Sequence, residues 1–324
     1  PYDTPVWLWV NGALVGKFYV AEIAPVELTA TSAVGILEHQ EHLGGIYRGR
    51  TYGAVIADII GPGFAVTVDP QLANLPVYGW LPIQTRRRAL HQAMLAMGAI
   101  MSKDGQGEMV IAAPQAARTR QVPDSDLFLG GRVSPLSSAG KVDQVDVTEH
   151  TFLERATDRE VLLYDNTESL PAAGERVYFS TAPIHSLQTT GTLVVEESNC
   201  NYAIVSGTGT LTGREYTHVT RLVSAKSPTR RTAQQVVQVK KDLYLASTVN
   251  APNIAARLLA YSSAQTTLEM DMVLRDRKVG DKISLEIGSC SITGNTALKD
   301  GGGVYLSNNS MTVSGKAIIK DNTG

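Results

Sequence analysis

The chain contains few cysteines, and this shortage excludes the small folds that disulfide bonds stabilise. Only Cys200 and Cys290 occur among 324 residues; they lie far apart and lack CxxC spacing. The spacing predicts two small buried side chains and excludes a disulfide-stabilised scaffold. Aromatic residues make up 6% of the chain, and it has 29 glycines. This composition is typical of a β-rich, turn-rich protein and not of a disordered one.

Long apolar runs and an excess of charge of one sign are also missing. The most apolar stretch, Ala54–Val68, is interrupted by Asp58 and by Gly61-Pro62-Gly63, so we expect no membrane-spanning helix. The formal net charge is −2, which excludes an overall basic field for nucleic acid or anionic lipid. The length is sufficient for two or three domains, each with its own core.

A helix followed by a hairpin is predicted over Arg86–Ile111, in surroundings that otherwise alternate like strands. Apolar residues at helical spacing lead into Lys103–Gly107 and then into an alternating strand. Thr85 is the expected N-cap of this helix, as Thr51 is for a helix over Tyr52–Ile60.

Other local signals place strands near the start of the chain and a helix towards its end. Asn11-Gly12 between apolar runs predicts a hairpin, with a third strand over Pro25–Ala30. Gly79–Pro82 is predicted to be a loop. Asn250–Ser263 is predicted to be a helix.

The last segment has a different composition and repeats itself. The residues Ile292–Thr296 recur as Ile319–Thr323, at an offset of 27. Short strands separated by Gly and Asn at such a period indicate a parallel β-helix. Only about one and a half coils are present, fewer than the roughly three that this fold needs alone. We therefore expect this segment to continue beyond Gly324 or to pack against something.

No motif predicts catalysis, and we expect no catalytic residue, no metal site and no cofactor. His39 and His42 are three residues apart, whereas a zincin needs histidines four apart. A solvated helix end is the simpler interpretation, with a metal site as the alternative. The glycine-rich stretch Gly207–Gly213 has no following helix, so it predicts a hairpin turn and not a phosphate loop. No Ser, Cys or Asp stands in a nucleophile motif.

The triplet Arg86, Arg87 and Arg88 opens the central helix, where positive charge opposes the helix dipole. Three interpretations are open: an intersubunit salt bridge with a partner carboxylate, simple solvation, or nucleic-acid binding. The triplet is our candidate for intersubunit contacts.

Four segments together resemble the tail hub proteins (baseplate hub, late-control D-like) of phages and prophages. They are the helix–hairpin Arg86–Ile111, Leu129–Val133 leading to Val145–Phe152, Tyr202–Gly207 with Tyr216–His218, and Val279–Ile283. The resemblance is one of pattern and order, and it covers about Pro1 to Ile287. The terminal segment Ser289–Gly324 is similar instead to the Gly-Asn-Thr repeats of β-helical surface adhesins and polymorphic outer-membrane proteins.

The resemblance implies a mainly β fold with inserted helices (α+β). Two β-barrel-like hub domains, 1–128 and 129–287, would precede the start of a parallel β-helix at 288–324. Such proteins assemble as rings, commonly trimers, that close the tail tube and hold the spike or receptor-binding tip. The resemblance implies a non-enzymatic role in the virion, other tail proteins as partners (distal tail, tape measure, spike or fibre) and a host surface receptor. It implies no specific recognition of nucleic acid.

Two other functions fit the same patterns. A cell-surface or extracellular adhesin with a β-helical stalk would need a secretion signal upstream of Pro1. A tail-associated cell-wall hydrolase would carry its catalytic module beyond Gly324.

Overall fold

The computed structural model describes residues 4–10, 12–104, 106–114, 119–123, 126, 134–136, 142–227, 236–239, 242–262, 267–269, 282–285, 291–293 and 318–320. Contacts divide the chain into two compact units. The first consists of Pro1–Ala113, Asp146–Ser224 and Gln238–Ala255; the second consists of Pro114–Val145, Ala225–Val237 and Ala256–Gly324. The first unit takes segments from both predicted hub domains, so these units and the predicted domains divide the chain differently.

Strands dominate the described residues, and a few helices lie between them. The helices are α1 (Ala33–Ile36), α2 (Tyr52–Ile60), α3 (Pro70–Ala73), α4 (Arg86–Met97) and α5 (Ala251–Ser262), with a 3-10 turn at Leu37–His39. The strands are β1 (Pro5–Val10), β2 (Ala13–Ala24), β3 (Glu27–Thr31), β4 (Glu41–His42), β5 (Gly45–Thr51), β6 (Val66–Val68), β7 (Pro76–Leu81), β8 (Gln84–Thr85), β9 (Ile100–Lys103), β10 (Met109–Ala112), β11 (Thr119–Val122), β12 (Ser134–Leu136), β13 (Gln144–Leu153), β14 (Glu160–Asp165), β15 (Ala172–Tyr178), β16 (Ile184–Thr189), β17 (Val194–Ser198), β18 (Tyr202–Gly207), β19 (Thr210–Glu215), β20 (Thr217–Lys226), β21 (Val236–Val239), β22 (Thr267–Glu269), β23 (Lys282–Leu285), β24 (Ser291–Thr293) and β25 (Ile318–Lys320).

The predicted helices over Tyr52–Ile60 and from Arg86 are confirmed, and they pack in the first unit. Apolar residues three and four apart give each helix one buried stripe, including Val55, Ile56 and Ile59 on α2 and Leu90 and Ala93 on α4. Burying each large aliphatic side chain contributes about 1.5–3 kcal/mol. The buried faces of α2 and α4 therefore contribute much of the apolar core of the first unit.

The predicted hairpin after α4 is also confirmed. Strands β9 and β10 pair antiparallel, and β6 adds a parallel strand on the other side of β10. The hairpin turn lies against β2: a Cβ on Gly107 would come within 2.6 Å of the Lys17 backbone nitrogen, and the Lys17 Nζ lies 2.7 Å from Glu108 Oε1. A glycine is needed there because the two backbones approach so closely and its φ is +79°.

Strand β7 corrects the prediction that Gly79–Pro82 is a loop. Its residues Pro76–Leu81 pair antiparallel with β5, Tyr47 opposite Gly79. A Cβ on Gly79 would lie 2.2 Å from the Tyr244 carbonyl oxygen. The glycine therefore marks a close approach of two backbone segments and not a turn.

Two three-stranded sheets form a second apolar core within the first unit. The orders are β14–β19–β16 and β15–β18–β17. Their buried side chains form one cluster of Val177, Phe179, Ile184, Leu193, Ala203, Val205 and Leu211. The prediction of a hairpin turn over Gly207–Gly213 is wrong: β18 ends at Gly207 and β19 begins at Thr210, but the two strands belong to different sheets.

The described strands of the second unit pair over long sequence distances. Strands β11 and β23 are parallel, and β12 and β22 are antiparallel. Strands β24 and β25 are parallel with Ile292 opposite Ile319, which is the offset of the sequence repeat. The segments Leu129–Val133 and Val279–Asp281, and most of 289–324, lie outside the described residues.

The described strands form no closed barrel, and the barrel-like hub domains stay a prediction. The described strands lie in sheets of two or three, and none of these sheets closes on itself. The mainly β character with inserted helices is confirmed. No helix in the described part of the chain is long and apolar enough to cross a membrane.

Candidate functional site

Each residue of the arginine triplet has a partner within its own chain. The Arg86 guanidinium donates from Nη1 to the carbonyl oxygens of Asp58 (2.9 Å) and Ile59 (2.6 Å). It thereby satisfies the last carbonyls of α2, where the helix dipole favours positive charge. Arg87 lies 3.6 Å from Glu38, and Arg88 lies 3.7 Å from Asp242. Both pairs are exposed, and contact with another subunit stays a prediction.

The two histidines considered for a metal site lie on different elements. His39 ends the 3-10 turn, and His42 lies on β4 with its side chain buried. The Gly44 backbone N–H donates to His42 Nδ1 (3.1 Å). Burial lowers the pKa of His42. Among the described residues no group of three or more potential ligands could hold a metal ion.

A projecting hairpin, which we name the arm (Ala21–Thr29), is the most exposed regular structure in the first unit. Its base is anchored because Tyr19 and Val20 on β2 are buried, and Tyr19 packs edge-on against Phe64 with ring centroids 5.1 Å apart. Beyond Val20 all nine residues are exposed. Val26 at the tip is 99% exposed.

The arm has one apolar and one polar face. Ile23 pairs with Leu28 across the hairpin, and both side chains are about half exposed (48% and 55%). Paired residues point to the same face, and the next pair, Ala24 with Glu27, points to the other. A two-stranded hairpin without a core beneath it is marginally stable in water. The apolar face and tip are therefore suited to contact another surface.

A cavity of about 260 Å³ opens in the same unit. Strands β5, β7 and β13 and the segment before α5 form its wall, which includes Ile46, Arg48, Tyr78, His150, Phe152 and Val249. Most of this lining is apolar or aromatic. The volume is below the usual range for drug-sized ligands and suits one or two side chains.

An aromatic cluster made of Trp80, His150, Phe152, His218 and Tyr244 adjoins the cavity. The His218 ring stacks on Phe152 with centroids 4.5 Å apart, and Trp80 contacts Tyr244 at 4.7 Å. Strands β13 and β20 are neighbours in one sheet, which brings His150 and His218 together. The two histidines are 68 residues apart in the sequence, so no local pattern predicts that they meet.

His150 has one satisfied and one unsatisfied ring nitrogen. Its Nδ1 lies 2.9 Å from His218 Nε2, and one of these two nitrogens donates to the other. The side chain is buried, with the residue 2% exposed, and Nε2 has no hydrogen-bond partner among the described residues. Burial, with a smaller effect of His218, lowers the pKa of His150 to about 4. Both rings are therefore neutral at pH 7, since burial lowers the pKa of His218 as well.

A second polar cluster resembles the hydrogen-bond line that activates a serine hydroxyl. His185 Nε2 lies 2.9 Å from Asp158 Oδ2, and His185 Nδ1 lies 2.9 Å from Ser186 Oγ. The hydroxyl of Thr217 donates to Asp158 and is the main cause that lowers the pKa of this carboxyl to about 2.

The geometry of this second cluster favours a structural role. Ser186 follows its histidine directly in the chain and lies on strand β16, not at the strand–helix turn that presents a nucleophile in hydrolases. The bonds fasten the residues before β14 to β16 and β20. No sequence motif predicts this cluster, because Asp158, His185 and Thr217 are far apart in the sequence and come together only in the folded chain.

Comparisons with known proteins give solved structures of low similarity, among them two prophage tail proteins. No family model matches the chain, and no curated protein matches it. The chain is similar to the 43 kDa tail protein of prophage MuSo2 from Shewanella oneidensis, with a TM-score of 0.41, 10% identity and coverage of 81% of this chain. It spans 62% of that protein's length. It is also similar to the prophage tail protein gp18 from Listeria monocytogenes EGD-e, with a TM-score of 0.40, 10% identity and coverage of 88% of this chain and 70% of that one.

Proposed function

We propose that the chain is a structural component of a phage tail tip or baseplate. In this role it forms an oligomeric hub ring, a trimer, that closes the tail tube and carries the spike or receptor-binding tip. The role involves no turnover. The sequence boundaries after residues 128 and 287 remain our proposal for its hub domains.

The main observation in favour of assembly is the exposed arm. Nine consecutive exposed residues, with an apolar face and a valine tip, have no core of their own. Exposed apolar surface of this kind marks an interaction site. A chain whose function is assembly needs such surfaces, whereas an enzyme of this size needs a cleft with converging catalytic groups.

The resemblance to tail hub proteins supports the proposal that the chain assembles in a phage tail. One of the segments that carry this resemblance, Arg86–Ile111, folds as the helix–hairpin that the pattern predicts. The net charge of −2 is compatible with a passage through which DNA moves without binding.

The C-terminal repeat supports an extension towards the host. Strand β24 pairs in parallel with β25, residue for residue at the repeat offset. Successive coils of a parallel β-helix pair in this way, so we propose that 288–324 begins a β-helical spike.

The mass of the purified chain in solution tests the ring. We expect a particle three times the mass of the 34.7-kDa chain by light scattering after gel filtration, and labelled antibody against the chain at the distal end of tails in electron micrographs. A strictly monomeric mass, in solution and in assembled particles, would overturn the proposal.

A cell-surface adhesin with a β-helical stalk is the second candidate, and the parallel pairing of β24 with β25 also favours it. It predicts that the full-length protein is exported and retained on the bacterial surface, where it binds host glycans. Surface labelling of intact producing cells separates the two functions, because a hub is found in virions instead.

A further inference from the structure

We propose that the cavity beside His150 receives the arm tip of a second copy of this chain, so that the ring closes through arm-in-cavity contacts. The inference rests on the proposed ring and names its interface. The contact joins two different surfaces of identical chains. Such head-to-tail contacts generate closed rings when the rotation between copies closes.

The arm of the same chain does not fill the cavity. Val26 is 99% exposed and its neighbours in the arm are all exposed, so the tip is free to enter another molecule. A buried anchor side chain in a pocket is the usual centre of a protein interface. The cavity volume of about 260 Å³ suits the Pro25-Val26 tip, and its lining of Ile46, Phe152 and Val249 matches an apolar occupant.

Charge at the two surfaces is complementary. Arg48 lines the cavity with its side chain 55% exposed, and its bonds to Glu154 and Tyr216 both leave from Nη2. Among the described residues its Nε and Nη1 donors have no partner that competes for them. Glu27 lies beside the arm tip and is exposed, and its carboxylate is opposite in charge to Arg48.

Disulfide trapping between two differently labelled chains tests the contact. One preparation carries Val26→Cys and the other Val249→Cys, both with Cys290→Ser; Cys200 is buried, and burial raises the pKa of its thiol to about 12, so it reacts slowly. We expect a covalent dimer after mild oxidation of the mixture, and a closed covalent ring from the double variant Val26→Cys/Val249→Cys.

The control uses Leu170→Cys in place of Val26→Cys, because Leu170 is also highly exposed (88%) and lies outside the arm. Dimer yield from Val26→Cys at least tenfold above this control supports the inference. A ring of the expected mass with yields no higher than the control overturns the inference and leaves the proposed function standing. A monomeric mass at every concentration overturns both.

A second variant tests how much the arm tip contributes to the strength of assembly, without cysteine chemistry. Val26→Asp places a charge at a fully exposed position, so we expect unchanged circular dichroism and at least a tenfold weaker assembly. Leu170→Asp is the matched control and should assemble normally. Equal assembly of the two variants contradicts the arm as anchor.

Discussion

At the scale of single residues, the buried histidine pair makes folding sensitive to acid. The pKa of His150 is about 4 in the folded chain and 6.5 when unfolded. Between these values the unfolded state binds the extra proton, so stability is complete above pH 6.5 and falls as the pH drops towards 4. From pH 7.5 to pH 5 this one residue removes about 2 kcal/mol.

Replacing His150 by phenylalanine should remove that share of the acid sensitivity. We expect urea unfolding of His150→Phe to lose about 2 kcal/mol less stability than the natural chain between pH 7.5 and pH 5. His91→Gln, a change at an exposed position on α4, is the control. An unchanged pH dependence in His150→Phe would mean that the ring is not held neutral by burial.

At the scale of elements, α2 and α4 offer a comparison of two threonine N-caps. Thr85 accepts a hydrogen bond from the Arg88 backbone N–H (3.3 Å), whereas Thr51 makes no side-chain capping bond. We expect Thr85→Ala to cost about 1 kcal/mol and Thr51→Ala clearly less, because only the first leaves a helix N–H unsatisfied. Denaturant midpoints of the two variants measure the difference. Equal losses would show that the Thr85 bond contributes nothing.

The elements that could be predicted are those whose signals are local. The helix over Tyr52–Ile60 and the helix–hairpin from Arg86 each combine a cap, a periodic apolar stripe and a turn within one short segment. The strand at Pro76–Leu81 was missed because Gly79 resembles a turn residue in the sequence. Its real constraint, the Tyr244 carbonyl oxygen, comes from a distant segment.

The candidate sites were predicted less well, for a related reason. The apolar residues Ile23 and Leu28 look like core residues in the sequence, and only the structure shows that nothing covers them. His150 and His218 meet through strand pairing across 68 positions. In the sequence the charge of Arg86 opposes the dipole of its own helix, whereas in the structure its guanidinium caps the end of α2. Spatial partners of this kind leave no pattern in a single sequence.

At the scale of the whole molecule, salt separates two ways of joining the subunits. An arm that anchors Val26 in an apolar cavity depends mainly on the hydrophobic effect, which salt does not screen. Intersubunit salt bridges from the arginine triplet would be screened, because Arg87 and Arg88 are exposed and salt shortens the range of their charges.

The arm supplies an apolar anchor, and the chain has a net charge of only −2. We therefore expect the dissociation constant of the assembled subunits to change less than about threefold between about 0.1 M and 1 M NaCl. Sedimentation equilibrium across that series measures the change. Arg87→Gln is the matched variant, since Arg86 has a structural role at α2, and it should assemble like the natural chain. Strong weakening by salt that Arg87→Gln abolishes would instead place the subunit interface at the triplet.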